Sequence, residues 1–265
     1  MRKRQYGRKK LKLEFHRTYL VMALGFILTG YYLNLIIFTS LILVHELGHY
    51  ITARLNNFNV SKIIIYPYGG MTKIDDMINR DICEELLIAT SGVIAQYLFY
   101  LFITYLYHQG ILREYTHNLY TIYNNQMIFF NLLPIYPLDG GRIINLILHK
   151  YFPYYKANIL TIIISLLIII LLITLSIYQY NYSNIMIMGI LLTYLYKFFT
   201  KRKYLYNRFL LERYLYNIEY PKIKIITNIK KMYKNKNHLI IKNNHYYKEK
   251  DLISNLFTNH NKIIK

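Results

Sequence analysis

The chain has 265 residues, of which 54 % are hydrophobic and 17 % charged, where soluble domains carry about 25 % charged residues. Its 33 Lys and Arg against 13 Asp and Glu give a net charge of +20. Residues 157–196 hold no Asp, Glu, Lys or Arg, and residues 18–53 hold only Glu46. About 20 apolar residues suffice to cross a bilayer, so a soluble globular enzyme and a disordered chain are both excluded. The sequence is that of a polytopic membrane protein with polar ends.

Taken in chain order, the start Met-Arg-Lys-Arg-Gln-Tyr-Gly-Arg-Lys-Lys is basic and precedes a long apolar segment. No small-residue cleavage site is evident before that segment, so it is read as an uncleaved anchor. Residues 18–53 number 36, which as one helix would measure about 54 Å. The hydrocarbon core is only about 30 Å thick, so the segment is expected to fold back at Gly30-Tyr31-Tyr32. That gives a first span near 15–30 and a second near 33–54. Residues 86–107 form the third span. Residues 115–138 form the fourth, which is oddly polar, with Asn118, Asn124, Asn125, Gln126 and Asn131. The uncharged block 157–196 holds the fifth and sixth, with a turn at 179–184. Beyond residue 200 the composition changes. Ile223–Ile229 and His238–Ile241 are expected as short strands, and Asp251–Phe257 as a short helix.

Six spans place both ends on one side. On that side the head and the loops after spans two and four carry 15 Lys and Arg, against Arg113 alone on the other. Positive loops stay in the cytoplasm, so both termini are expected there. The same distribution explains the net charge without a nucleic-acid partner. Cys83 is the only cysteine, which excludes an intramolecular disulfide and a Cys-rich metal site.

The second span ends in His45-Glu46-Leu47-Gly48-His49. This spacing sets two imidazoles at i and i+4 on one helix face, fit to bind one zinc ion with the glutamate beside the metal-bound water. Glu46 also stands alone in an uncharged apolar segment, and an ionisable group at such a place marks function. A catalytic zinc takes a third protein ligand. Asp75, Asp76 and Asp81 sit in a polar loop, Glu84 and Glu85 open a helix, and Glu114 lies on the opposite side. Asp139 ends the fourth span in Asn131-Leu132-Leu133-Pro134-Ile135-Tyr136-Pro137-Leu138-Asp139-Gly140-Gly141. Two prolines there break the helix, and such backbone is tolerated at membrane depth only inside protein or along a watery cavity. Asp139 is therefore the preferred third ligand. His149, a little further on, is expected at the surface.

These two blocks resemble the site-2 protease family of intramembrane zinc metalloproteases. The resemblance covers spans two to four. It implies that His45, His49 and Asp139 bind zinc (Zn2+, one per chain) and that Glu46 is the catalytic base. Pro67-Tyr68-Gly69-Gly70 resembles the family's loop after the zinc helix, which helps place substrate. Asn131, Pro137, Gly69 and Gly70 are accordingly expected to bind substrate. In Ser91-Gly92-Val93-Ile94-Ala95-Gln96 the third span departs from the family's usual Gly-Pro pair and asparagine. The compact layout, the lack of an inserted PDZ domain and the short tail are similar to the family's bacterial sporulation branch. That likeness implies a membrane-associated substrate of the pro-sigma-K type, inhibitory membrane partner proteins and a bacterial cell membrane or forespore-surrounding membrane. Oligomers are compatible with it.

The fold expected is an all-α polytopic membrane protein of about six transmembrane helices with a small cytoplasmic α+β appendage. Residues 1–200 form the membrane metalloprotease domain, with its catalytic core about 33–145. Residues 201–265 form the tail, similar to part of a cystathionine-beta-synthase-like unit. Two other readings stay open. A membrane zinc protease of the prenyl-protein-processing type would use Glu84 or Glu85 in place of Asp139. A non-catalytic membrane zinc-binding protein would keep the histidines and dispense with Glu46.

Overall fold

The computed structural model describes residues 12–180, 182–216, 218, 220–242 and 245–260. The basic head before Lys12 and the turn residue Asn181 lie outside them. In order the chain forms β1 (Lys12–Phe15), α1 (Arg17–Leu28), α2 (Tyr32–Leu55), β2 (Val60–Tyr66), β3 (Gly69–Ile74), α3 (Ile82–His108), α4 (Glu114–Leu132), α5 (Asp139–Tyr151), α6 (Tyr154–Tyr178), α7 (Tyr182–Leu215), β4 (Ile223–Ile226), β5 (Asn237–Lys242), β6 (His245–Lys248) and α8 (Glu249–His260). Among the described helices, α2, α3 and α6 are long and apolar enough to cross a bilayer, with 24, 27 and 25 residues. The chain is a membrane protein. On α6 the outward side chains Ile163, Leu166, Leu167, Ile170 and Leu171 are all exposed and apolar, which suits lipid and not water.

Two compact units divide the chain. One takes the described residues up to Asp76 together with Leu86–Leu133, and the other takes Met77–Glu85 and Pro134 onward.

In the first unit, α2 buries Ile37, Leu41, His45, His49 and Ala53. The four-residue spacing puts them on one stripe, so the imidazoles continue the face that builds the core. That core joins Tyr19, Ile37, Leu41 and Ile42 to Ile65 of the sheet and Met127 of α4. Small residues bring α2 and α3 close. A Cβ on Gly48 would stand 2.5 Å from the Ser91 carbonyl, 2.7 Å from Ala95 Cβ and 3.1 Å from Gly92 Cα, the close backbone approach that small residues allow between membrane helices. Asn34 donates to the Tyr123 hydroxyl at 2.8 Å and links α2 to α4.

An all-helical membrane part is corrected here, because β1, β2 and β3 form a sheet in that order. Strand β1 pairs parallel with β2, and β3 antiparallel with it through a two-residue turn at Pro67-Tyr68. The first expected span is a short apolar helix. Helix α1 has 12 residues, about 18 Å, because residues 12–15 are drawn into the sheet.

The polar fourth span does not run to 138, and the second unit resumes just past its end, at Pro134. Helix α4 ends at Leu132, and Leu133 turns extended with φ −57° and ψ 136°, as the residue before a proline must to avoid its ring. A new amphipathic helix, α5, begins at Asp139 where a loop is expected. Helix α7 runs unbroken to Leu215, through Lys201-Arg202-Lys203. In the tail, β4 pairs parallel with β5, and β6 antiparallel with it. Its core unites Tyr154, Tyr206, Phe209, Met232, Ile240 and Ile253. His149 is buried and stacked on Tyr154 at 4.7 Å, not exposed as expected. Burial, with Lys234 beside it, holds this imidazole well below its ordinary pKa.

Candidate metal centre

His45, Glu46 and His49 lie 2 %, 3 % and 7 % exposed on α2. Each is held by a group that fixes its direction. His49 Nδ1 stands 2.6 Å from the Ile88 carbonyl of α3. A carbonyl only accepts, so Nδ1 carries the ring proton and Nε2 presents its lone pair. His45 Nδ1 stands 3.0 Å from Gln96 Oε1. The two Nε2 atoms face one another at 3.1 Å.

Glu46 is approached from the sheet. Thr72 of β3 donates to Glu46 Oε2 at 2.6 Å. The backbone at Gly70 presses on the same side chain, where a Cβ would collide with Cγ and stand 2.6 Å from Oε1. Only a residue without a side chain leaves that oxygen open. Gly69, at φ +143°, occupies a conformation that glycine favours.

Gly92 of α3 completes the cradle. A Cβ there would overlap the His49 ring and stand 2.8 Å from His45 Nε2. The missing side chain leaves space where the two nitrogens point. The residues therefore fit a metal ion: two neutral imidazole donors, each oriented by a hydrogen bond on its far nitrogen, converge on a space kept clear by glycine. Two imidazoles so oriented are donors that suit zinc.

Asp139 and Pro137 belong to the second unit. Asp139 is the first residue of α5. The bend before it, with a cis Tyr136–Pro137 bond, is satisfied from α6. The Tyr136 N–H donates to Ser165 Oγ at 3.0 Å, and Ser165 reaches the Pro134 carbonyl at 3.5 Å. Gly141 folds back on this bend so closely that a Cβ would collide with Ile135 and Tyr136 backbone atoms. Asn131 is half-buried in the last turn of α4. Glu85 is paired with Lys234 at 2.5 Å, and Glu84 lies 3.9 Å from Arg80, so both acids of the rival ligand set have partners in their own unit.

Thr72 and Ile88 did not stand out in the sequence, and Asn124 and Gly92 stood out only as one polar residue of the fourth span and part of an atypical stretch of the third. Gln96 carried a further signal, as an amide inside an apolar span.

Residues 33–117 match the model of peptidase family M50. Stage IV sporulation protein FB of Bacillus subtilis is 32 % identical over 158 residues, covering 59 % of this chain and 54 % of that protein. A zinc metalloprotease of Methanocaldococcus jannaschii is 32 % identical over 130 residues, 48 % of this chain and 37 % of that protein. The chain thus spans about half or less of the length of these two relatives. The site-2 protease structure from Methanocaldococcus jannaschii superposes with a TM-score of 0.55 at 22 % identity, covering 72 % of this chain and 92 % of that one. At that identity the likeness is one of fold.

Proposed function

We propose that this protein is an intramembrane zinc metalloendopeptidase that cuts a membrane-associated protein near the cytoplasmic face. The observation that carries the reading is the convergence of His45 Nε2 and His49 Nε2 at 3.1 Å, beside a buried glutamate oriented by Thr72. His45, His49 and Asp139 are the zinc ligands. Bound there, zinc supplies Lewis-acid polarisation of a peptide carbonyl and a water whose pKa falls to about 7.

Glu46 is the general base. Thr72 occupies Oε2, so Oε1, on the side left open by Gly70, takes the proton of the attacking water and later returns it to the leaving amine. Strand β3 is the edge of its sheet in the order β1-β2-β3, and an edge strand offers unpaired backbone groups to an extended peptide. Gly69 and Gly70 let a substrate backbone approach there. Asn131 serves as a donor to the substrate backbone or the developing oxyanion, and Pro137 borders the same segment.

The topology proposed has six spans, with α1 and α4 as its less regular members and both termini cytoplasmic. The membrane domain 1–200 carries the peptidase core, and 201–265 is its appendage. Stage IV sporulation protein FB is named for sporulation, and its likeness supports a sigma factor precursor of the pro-sigma-K type as substrate, with membrane inhibitor proteins as partners.

Co-expression with a tagged pro-sigma-K substrate tests this, comparing wild type with Glu46→Gln by immunoblot and assaying zinc on the purified chains. Cleavage by wild type alone, with about one zinc in each chain, is the expected result. Equal cleavage by Glu46→Gln overturns the mechanism. Absence of zinc from the wild type overturns the metal site.

A further inference from the structure

Gln96 and Asn124 are 0 % and 1 % exposed. Gln96 is the single amide side chain in α3. An amide buried without partners costs several kcal/mol in an apolar medium, so the partners decide what the pair does.

Donor directions along the chain of contacts are fixed by one backbone group. The Asn124 carbonyl can only accept, and the Gln96 amide nitrogen stands 3.2 Å from it and 3.1 Å from Asn124 Oδ1. The Gln96 amide is therefore turned with Nε2 toward α4. That leaves Oε1, which only accepts, facing His45 Nδ1 at 3.0 Å. The ring proton must then sit on Nδ1, and Nε2 carries the lone pair. His49 reaches the same tautomer by a shorter route, through the Ile88 carbonyl at 2.6 Å.

We propose that Gln96, oriented by Asn124, is a positioning residue that holds His45 in the Nδ1–H tautomer and aims its Nε2 at the metal. The inference rests on the zinc reading above. A bond that only ties α3 to α4 would have no need of the imidazole, whereas here the amide oxygen is spent wholly on it. Partners of this kind around metal-bound histidines are worth about 10–100-fold in metal affinity.

The test uses the full-length protein, with zinc affinity measured by chelator competition. Gln96→Met keeps the length and volume of the side chain and removes the acceptor. Gln96→Glu keeps the acceptor. Weakening of zinc binding by about 10–100-fold in Gln96→Met, with Gln96→Glu staying near wild type, supports the proposal. Unchanged affinity in Gln96→Met, or equal losses in both variants, overturns it. Should Gln96→Met fail to fold, 15N-histidine NMR of the metal-free wild type decides: a proton on His45 Nδ1 supports the proposal, and one on Nε2 overturns it. A wild type that binds no zinc sinks the metal site itself and so separates the two failures.

Discussion

His45 and His49 on α2 and His238 in the tail are all buried imidazoles, yet they are satisfied differently. His238 Nε2 accepts the Tyr233 N–H at 2.9 Å, and Nδ1 donates to Glu249 Oε1 at 2.6 Å. Glu249 in turn accepts from Arg213, whose guanidinium also donates to the carbonyls of Tyr233, Lys234 and Lys236 at 2.7–2.9 Å. Both ring nitrogens of His238 are spent inside the protein, and its carboxylate partner Glu249 is itself paired with Arg213. On α2 the groups that hold His45 Nδ1, His49 Nδ1 and Glu46 Oε2 are an amide, a carbonyl and a hydroxyl. None of them brings a counter-charge, and both Nε2 lone pairs turn toward one point. Buried polar groups that neutralise one another build structure. Those oriented by neutral partners toward a common point are prepared for a cation.

The largest effect is expected at Gly92. Gly92→Ala would drive a methyl group into the space between the imidazoles. Zinc affinity is expected to fall more than about 100-fold, beyond the usual 10–100-fold for loss of a supporting partner, and proteolysis is expected to vanish. Gly25→Ala, where a Cβ meets nothing within 4 Å, should leave both unchanged. Metal analysis of the two purified variants checks this, and retained zinc in Gly92→Ala would refute the cradle.

The tail should break independently. Arg213→Met strips Glu249 of its cation and three carbonyls of their donor. Removing one partner of a buried pair costs about 3–5 kcal/mol. Hydrogen exchange should quicken across β4, β5 and α8, while zinc content stays at the wild-type value. Loss of zinc in this variant would show that the two groups are not separate.

A smaller effect is expected at Thr72. Thr72→Val keeps the β-branched shape and removes the hydroxyl bonded to Glu46 Oε2. A hydrogen bond to a charged group is worth about 1.5–3 kcal/mol, so kcat is expected to drop about tenfold or more with KM and zinc content unchanged. Thr72→Ser should restore most of it. A change confined to KM would move Thr72 from holding the base to binding substrate.

What the sequence disclosed follows the range of each signal. The His-Glu-x-x-His pair is local and periodic, so it is legible. So is the break at Pro134, since proline acts on its immediate neighbour. The sheet is not. Lys12 pairs with Lys62 in parallel register, and no local pattern announces a partner 50 residues away. Helix α7 runs past the expected boundary near 200, because Lys201-Arg202-Lys203 marks where apolar composition stops and says nothing of where backbone hydrogen bonds stop. Gln96 and Asn124 required the rotational setting of α3 against α4, which hydropathy alone does not carry. Composition points His149 to the surface, and its burial against Tyr154 is a tertiary contact that composition does not carry.

Acid has the smallest effect expected on the tail. Burial holds the His238 imidazole below its ordinary value of 6.5, outweighing the Glu249 carboxylate. Geometry gives the same answer, since a proton on Nε2 would face the Tyr233 N–H. The folded tail therefore binds fewer protons than the unfolded chain just below pH 6.5, and its stability falls as the pH drops through that window. For Glu249, burial pushes the carboxyl up, but the His238 hydrogen bond and Arg213 prevail and hold it below 4.5. Its contribution is complete above that value and is lost on further acidification. Two stages of weakening are expected in hydrogen exchange of β5 and α8, and His238→Gln should remove the upper one. A single loss beginning only below pH 4.5 would assign the acid response to Glu249 alone, and would make His238 a packing ring whose protonation the tail tolerates.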